Sequence, residues 1–326
     1  MKFIFNLKKF IPLLFLSALV LSCNNDDDNT PDPDPTIVEL AQANPDLSTL
    51  VDALLLANED LVGLLSGGQF TVLAPTNAAF DAFLQDNGFA NLEAVPVDLL
   101  TNVLKNHVLN GQVGSGVLLN AGAGYTNTNA TNADGDILSL YYNTSSGVQF
   151  NGGATVTTPD VGASNGVVHV VDAVIGLPTV VTFVTADPNF STLTAALTRQ
   201  DLTFDYVTTL SIPNGTSPAP FTVFAPDNTA FGDLLTELQV ATLDDIPEPT
   251  LKATLDMHAV AMANVRASDL QQGQTVGTLG GDITISLDAG PQVIDANDRV
   301  SNITATDIQA LNGVIHEVDK VILPPL

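Results

Sequence analysis

Tryptophan is absent from this chain of 326 residues, and cysteine occurs once. The lone Cys23 excludes an internal disulfide. Basic residues are scarce as well. Nine Lys and Arg stand against 36 Asp and Glu, a formal net charge of −27. A nucleic-acid partner is excluded on that ground, because its phosphates would be repelled. The charge reads instead as solubility in an exposed compartment. Divalent cations are chemically able to bridge such a surface, but no motif calls for them. Aromatic residues make up 6% of the chain, and most phenylalanines sit in motifs that read as core, which argues against a sugar-stacking groove. Phe10 to Leu21 is an apolar run, too short to cross a bilayer comfortably. Catalytic signatures are missing too. There is no Gly-x-Ser-x-Gly elbow. Gly122-Ala123-Gly124 is no dinucleotide fingerprint, since Asn127 stands where a third glycine belongs. Asn132-Ala133-Asp134-Gly135-Asp136 is no calcium loop, since Tyr141 falls where a bidentate glutamate is required. It reads as a turn between strands.

What is present is a duplication. Phe70-Thr71-Val72-Leu73-Ala74-Pro75-Thr76-Asn77-Ala78-Ala79-Phe80 returns as Phe221-Thr222-Val223-Phe224-Ala225-Pro226-Asp227-Asn228-Thr229-Ala230-Phe231, with three differences. Each copy reads as a short apolar strand, a proline stop and a helix start. Asn228 is the expected N-cap. Phe231, Leu234, Leu235 and Leu238 then follow at helical spacing. A second motif also occurs twice: Asn165-Gly166-Val167-Val168-His169 and Asn312-Gly313-Val314-Ile315-His316. Two motifs, each repeated in the same order, mean two copies of one domain.

Both motif pairs resemble the signatures of the fasciclin-type domain, over roughly residues 36 to 326. The resemblance implies an α+β fold, with two tandem domains, each a two-sheet β-wedge with helices packed along it. It places family motif positions, expected to be structural, at Pro75, Asn77, His107, Asn165, Gly166 and His169, and again at Pro226, Asn228, His258, Asn312, Gly313 and His316. The family's Tyr-His pair is half kept, since Asn106 precedes His107 and Met257 precedes His258. In animal members a short Asp-Ile stretch before the second signature has been tied to receptor contact. Asp160-Val161 and Asp307-Ile308 stand there in this chain. The plainer expectation is an aspartate capping a turn and an aliphatic residue filling the core.

The four histidines occupy repeat-equivalent places, His107 with His258 and His169 with His316. Zinc needs three or four converging donors, and each domain offers two histidines and no cysteine. The expectation is therefore no metal and no cofactor, with buried imidazoles that bond to backbone and lock a helix to a strand. A calcium requirement stays open, without a motif to support it.

The N-terminus carries its own pattern. Lys2, Lys8 and Lys9 precede the apolar run, and Leu19-Val20-Leu21-Ser22-Cys23 resembles a bacterial lipobox. Residues 1–22 read as a lipoprotein signal peptide, with Cys23 carrying the lipid. Residues 23–35, rich in Asp, Asn and Pro, have nothing apolar to bury and read as a disordered spacer of roughly 40 Å. An acidic cluster at this place resembles the surface-export signal of Bacteroidetes lipoproteins.

The first domain is expected over 36–178 and the second over 179–326. Leu47, Leu50, Val51, Leu54 and Leu55 fall on one helical face, and Leu99, Leu100, Val103, Leu104, His107 and Val108 on another. Gly88 reads as a helix stop and Pro96 as the first turn of a helix. Strands are expected at 137–142, 148–150, 154–156 and 167–175, then at 283–287, 293–294, 300–304 and 314–323. Helices before strands argue for α+β.

The composite reading is a non-catalytic adhesion lipoprotein of the outer membrane, facing the cell exterior. Its partners would be surface proteins, extracellular polysaccharide or further copies of itself. The alternative is a carbohydrate-capturing lipoprotein that supports nutrient uptake.

Overall fold

The computed structural model describes residues 34–57 and 60–325. The expected signal peptide over 1–22, Cys23 and most of the expected spacer over 23–35 lie outside these residues.

Thr36 opens the first domain as an N-cap. It exchanges hydrogen bonds with Glu39 in a capping box that starts α1 (Ile37–Ala43). Helices α2 (Ser48–Leu56) and α3 (Leu61–Ser66) follow, then β1 (Phe70–Pro75), α4 (Asn77–Asp86) and α5 (Val97–Asn106). The remainder is β2 (Val108–Asn110), α6 (Ser115–Ala121), β3 (Ala123–Thr131), β4 (Ile137–Asn143), β5 (Gln149–Phe150), β6 (Ala154–Ala163) and β7 (Gly166–Val171). The seven strands close into a barrel in sequence order. Thr179 then repeats the opening cap for α7 (Val180–Ala186). After it come α8 (Ser191–Leu197), α9 (Tyr206–Leu210), β8 (Phe221–Pro226), α10 (Asn228–Leu238) and α11 (Glu248–Asp256). The last elements are β9 (Ala259–Ala261), β10 (Thr275–Thr278), β11 (Gly281–Ser286), β12 (Gln292–Ile294), β13 (Val300–Ala310) and β14 (Gly313–Val318). They form an open sheet in the order β10-β11-β12-β13-β14-β8-β9. The expected α+β arrangement is present in both halves.

The repeated apolar motif is a strand paired on both sides in each half, β1 between β2 and β7 and β8 between β9 and β14. β1 runs parallel to β7, and β8 runs parallel to β14, so each domain's first signature is zipped to its second. Alternation explains why all six residues of β1 are buried. Phe70, Val72 and Ala74 face the helices, while Leu73 joins Leu109, Leu140 and Phe150 inside the barrel. In β8, Phe221, Val223 and Ala225 face the helices and Phe224 the sheet interior.

Several local expectations are corrected. Asn228 is not the N-cap of its helix. Asp227 takes that role, accepting from the Ala230 amide at 2.7 Å, as Thr76 does in the first copy at 3.2 Å. Asp and Asn cap equally well, so adjacent candidates cannot be ranked locally. Leu55 is 71% exposed and Leu238 is 38% exposed, each at the solvent edge of a helix whose other apolar residues turn inward. β3 spans Ala123–Thr131, a stretch rich in Asn and Thr that lies outside the expected strands. The two closing strands are shorter than expected, ending at Val171 and Val318. Beyond them Ile175 and Ile322 are buried without a ladder, their backbone amides bonding to histidine rings instead, and the buried Leu323 gives its amide to the Asp295 carboxylate.

Candidate functional site

Those rings organise each domain. α5 is apolar on the face carrying Leu100, Val103 and Leu104, and His107 sits at its C-terminal end, 2% exposed. Its Nδ1 donates to the Val103 carbonyl at 2.7 Å, and its Nε2 accepts the Ile175 amide at 2.9 Å. His258 repeats both contacts, with Thr254 at 2.8 Å and Ile322 at 2.9 Å. A carbonyl only accepts and an amide only donates, so these partners dictate a neutral ring protonated on Nδ1. Burial pushes the pKa of both imidazoles down to about 4, against a smaller opposing effect of the carbonyl bonds.

The second pair uses the other tautomer. His169 donates from Nε2 to the Val113 carbonyl at 2.9 Å and accepts on Nδ1 from the Asp160 amide at 3.1 Å. His316 does the same with Val265 at 2.8 Å and Asp307 at 3.4 Å. Burial lowers the His316 pKa as well. All eight ring nitrogens are thus engaged with backbone, which leaves none to ligate an ion. Among the described residues, no group of three His, Cys, Asp or Glu side chains gathers where a metal could sit.

Asn165 and Gly166 have distinct tasks. A Cβ on Gly166 would lie 2.0 Å from the Phe70 carbonyl oxygen, and one on Gly313 would lie 2.2 Å from that of Phe221. Only glycine permits the parallel strands to approach so closely. Asn165 accepts the Ile37 amide at 2.9 Å and donates to the Leu65 carbonyl, pinning α1 and α3 to the strands. Asn312 accepts from Val180 at 3.0 Å and donates to Leu210 and Ile212. Asn77 and Asn228 tie each signature helix to the segment before it. Asn77 accepts from Thr49 at 2.9 Å, and Asn228 from Thr192 at 2.8 Å. Pro75 and Pro226 close β1 and β8, opposite Val171 and Val318.

Asp160 and Asp307 occupy bulges in β6 and β13, at φ +57° and +58°, a region that aspartate tolerates better than most residues. Their carboxylates do not cap a local turn. Asp160 takes the Ser115 amide at 2.8 Å together with its hydroxyl, and Asp307 takes the Ala267 amide at 2.8 Å. The Ser115 bonds hold the Asp160 carboxyl below the usual carboxylate range. Both aspartates remain exposed, with 47% of the Asp160 side chain accessible, whereas Ile308 is buried in the core and Val161 half-buried. Sequence reasoning missed Ser115, Ala267 and the accepting carbonyls of Val113 and Val265. Nothing in their side chains signals a backbone role. A separate cleft of about 410 Å³ lies between α4, α5, residues 173–177 and Leu311, and among the described residues Phe83 is its only aromatic lining residue.

A family model described as "Fasciclin domain" matches residues 45–178 and again 188–324. The chain belongs to the fasciclin domain family. A Synechocystis relative, protein sll1483, is 38% identical over 148 residues, which are 45% of this chain and 74% of that protein. The cell surface glycolipoprotein MPB83 of Mycobacterium bovis is 42% identical over 81 residues, 23% of this chain and 35% of its own length. Among solved structures, the FAS1 domain pair of the insect cell adhesion molecule Fasciclin I aligns with a TM-score of 0.53 and 18% identity, covering 86% of this chain and 98% of that one. That likeness concerns the fold. The histidine, asparagine and glycine contacts above are therefore contacts within two fasciclin domains.

Proposed function

We propose that this protein is a non-catalytic adhesion protein of the cell surface, built on two fasciclin domains over 36–178 and 179–326. One observation carries the reading. The polar groups that catalysis or metal binding would use, the histidines above all, are consumed by backbone contacts, while the repeated bulges hold their carboxylates at the surface. Relatives described as a cell adhesion molecule and a cell surface glycolipoprotein support it.

The finer reading is a tether. Residues 1–22 direct export, a lipid on Cys23 fixes the chain to the outer membrane, and residues 23–35 hold the domains off it, facing outward. Its ligand is another surface protein, a polysaccharide, or a second copy of the chain. Calcium is a candidate bridge across the acidic surface. The test is attachment by intact cells of wild type, a deletion strain and Cys23→Ala. Loss of attachment in both altered strains is expected. Unchanged attachment in both overturns adhesion and moves glycan capture, with the Phe83 cleft as its groove, to first place.

A further inference from the structure

We infer that the two domains dock once, in one order, and behave as a single rigid body. The face that domain 1 offers lies on β3 and β4. Tyr125 packs between Tyr141, tilted at 54°, and Phe183, edge to face, with ring centroids 5.1 Å and 5.5 Å apart, and its hydroxyl donates to the Asp187 carboxylate at 3.0 Å. Tyr141 is buried in the same apolar cluster as Phe183, Phe190 and Ile308 of domain 2. Around this centre the polar groups are matched. Ser139 accepts the Gln309 amide at 3.0 Å. Asp136 pairs with the Arg266 guanidinium and accepts from Asn264 at 3.0 Å. The Leu311 amide donates to the Pro178 carbonyl at 2.7 Å. Ser139, Asp187 and Gln309 are each at most 5% exposed, so separating the domains would strip buried polar groups of their partners.

The repeat supplies an internal control, because each domain carries both faces and only one of each is used. Thr275 and Thr284 pair in domain 2 as Tyr125 and Tyr141 pair in domain 1. The aromatic platform is therefore missing from the free face of domain 2. Counting from the shared caps and motifs, Phe183, Asp187 and Gln309 correspond to Leu40, Asn44 and Gly162, and Arg266 corresponds to Gly114. The free face of domain 1 thus lacks the groups that grip. A head-to-tail contact that could recur along a filament is confined to one use by residue choice. A binding partner accordingly meets both domains at one fixed spacing, which governs whether two contacts can form at once.

Tyr125, Phe183 and Asp187 can each be exchanged for the repeat counterpart, with which the other domain already folds. The test is urea unfolding of the full chain, followed by peptide-resolved hydrogen exchange, with small-angle scattering in buffer. Wild type is expected to lose both domains in one step. Tyr125→Thr combined with Phe183→Leu and Asp187→Asn is expected to split that step in two and raise the radius of gyration. A milder variant, Ser139→Ala with Asp136→Asn, should lower the midpoint of the step without unfolding either domain. Two independent steps in wild type overturn the inference, as does a triple variant that keeps one step and an unchanged radius. Neither readout involves an adhesion partner, so the result is independent of the proposed function.

Discussion

Lowering the pH from 7.5 to 5 should destabilise each domain through one buried histidine. His107 and His258 stay neutral in the folded state down to about pH 4, while the unfolded chain takes up the same protons near the ordinary value of 6.5. Between those values the unfolded state binds more protons, so stability is present above pH 6.5 and is lost as the pH falls. A difference of about 2.5 pH units gives, at pH 5, a loss of about 2 kcal/mol per histidine, or about 4 for the pair. That is a large share of a typical total stability of about 5–15 kcal/mol. The geometry explains why the ring resists protonation. A second ring proton would point at the Ile175 or Ile322 amide, itself a donor. The opposing effect is relief of self-repulsion in a chain of net charge −27, but most carboxylates remain ionised at pH 5. Urea midpoints at pH 7.5, 6 and 5 and constant ionic strength measure the loss. Imidazole chemical shifts identify the groups. Equal or greater stability at pH 5, or a His107 or His258 resonance titrating near 6.5 in the folded protein, would refute the reasoning.

Other outcomes follow from single contacts. Gly313→Ala should cost about 4 kcal/mol or more, because its Cβ meets the Phe221 carbonyl at 2.2 Å in a strand buried on both faces; a soluble variant with a wild-type urea midpoint would contradict this. Asn312→Ala should cost about 3 kcal/mol, since the Val180 amide and the Leu210 and Ile212 carbonyls lose their partner together. Asp227→Ala should lower stability by about 1 kcal/mol as a lost helix cap; thermal melts that show no change would return the capping role to Asn228. Asp160→Ala should weaken cell attachment while shifting the melting temperature by no more than a few degrees, given its exposed contact with Ser115; full attachment would remove the bulge from the adhesive face.

The duplication, the strand–proline–helix motif and the apolar faces of α5 and α11 are legible because each rests on neighbours a few residues away. Burial of His107 and His258 on those faces follows from the same periodicity. The family resemblance adds the arrangement of sheets and helices, which periodicity alone does not supply. Choices among chemically equivalent neighbours were not legible. Asp227 and Asn228 both suit an N-cap, and only the packing of α8 assigns Asn228 to the Thr192 amide, 36 residues away. Asp160 reads locally as a turn cap, yet its partner Ser115 lies 45 residues back and is brought there by barrel closure. Tyr125, in a stretch of Thr and Asn, resembles a turn residue until the register of β3 on β4 sets it beside Tyr141 and under Phe183. Sequence by itself determined which segments bury a face and which residues can cap, bond or bend. Tertiary structure decided which partner each of them meets, because that depends on strand register and chain closure over tens of residues, where side-chain type carries no address.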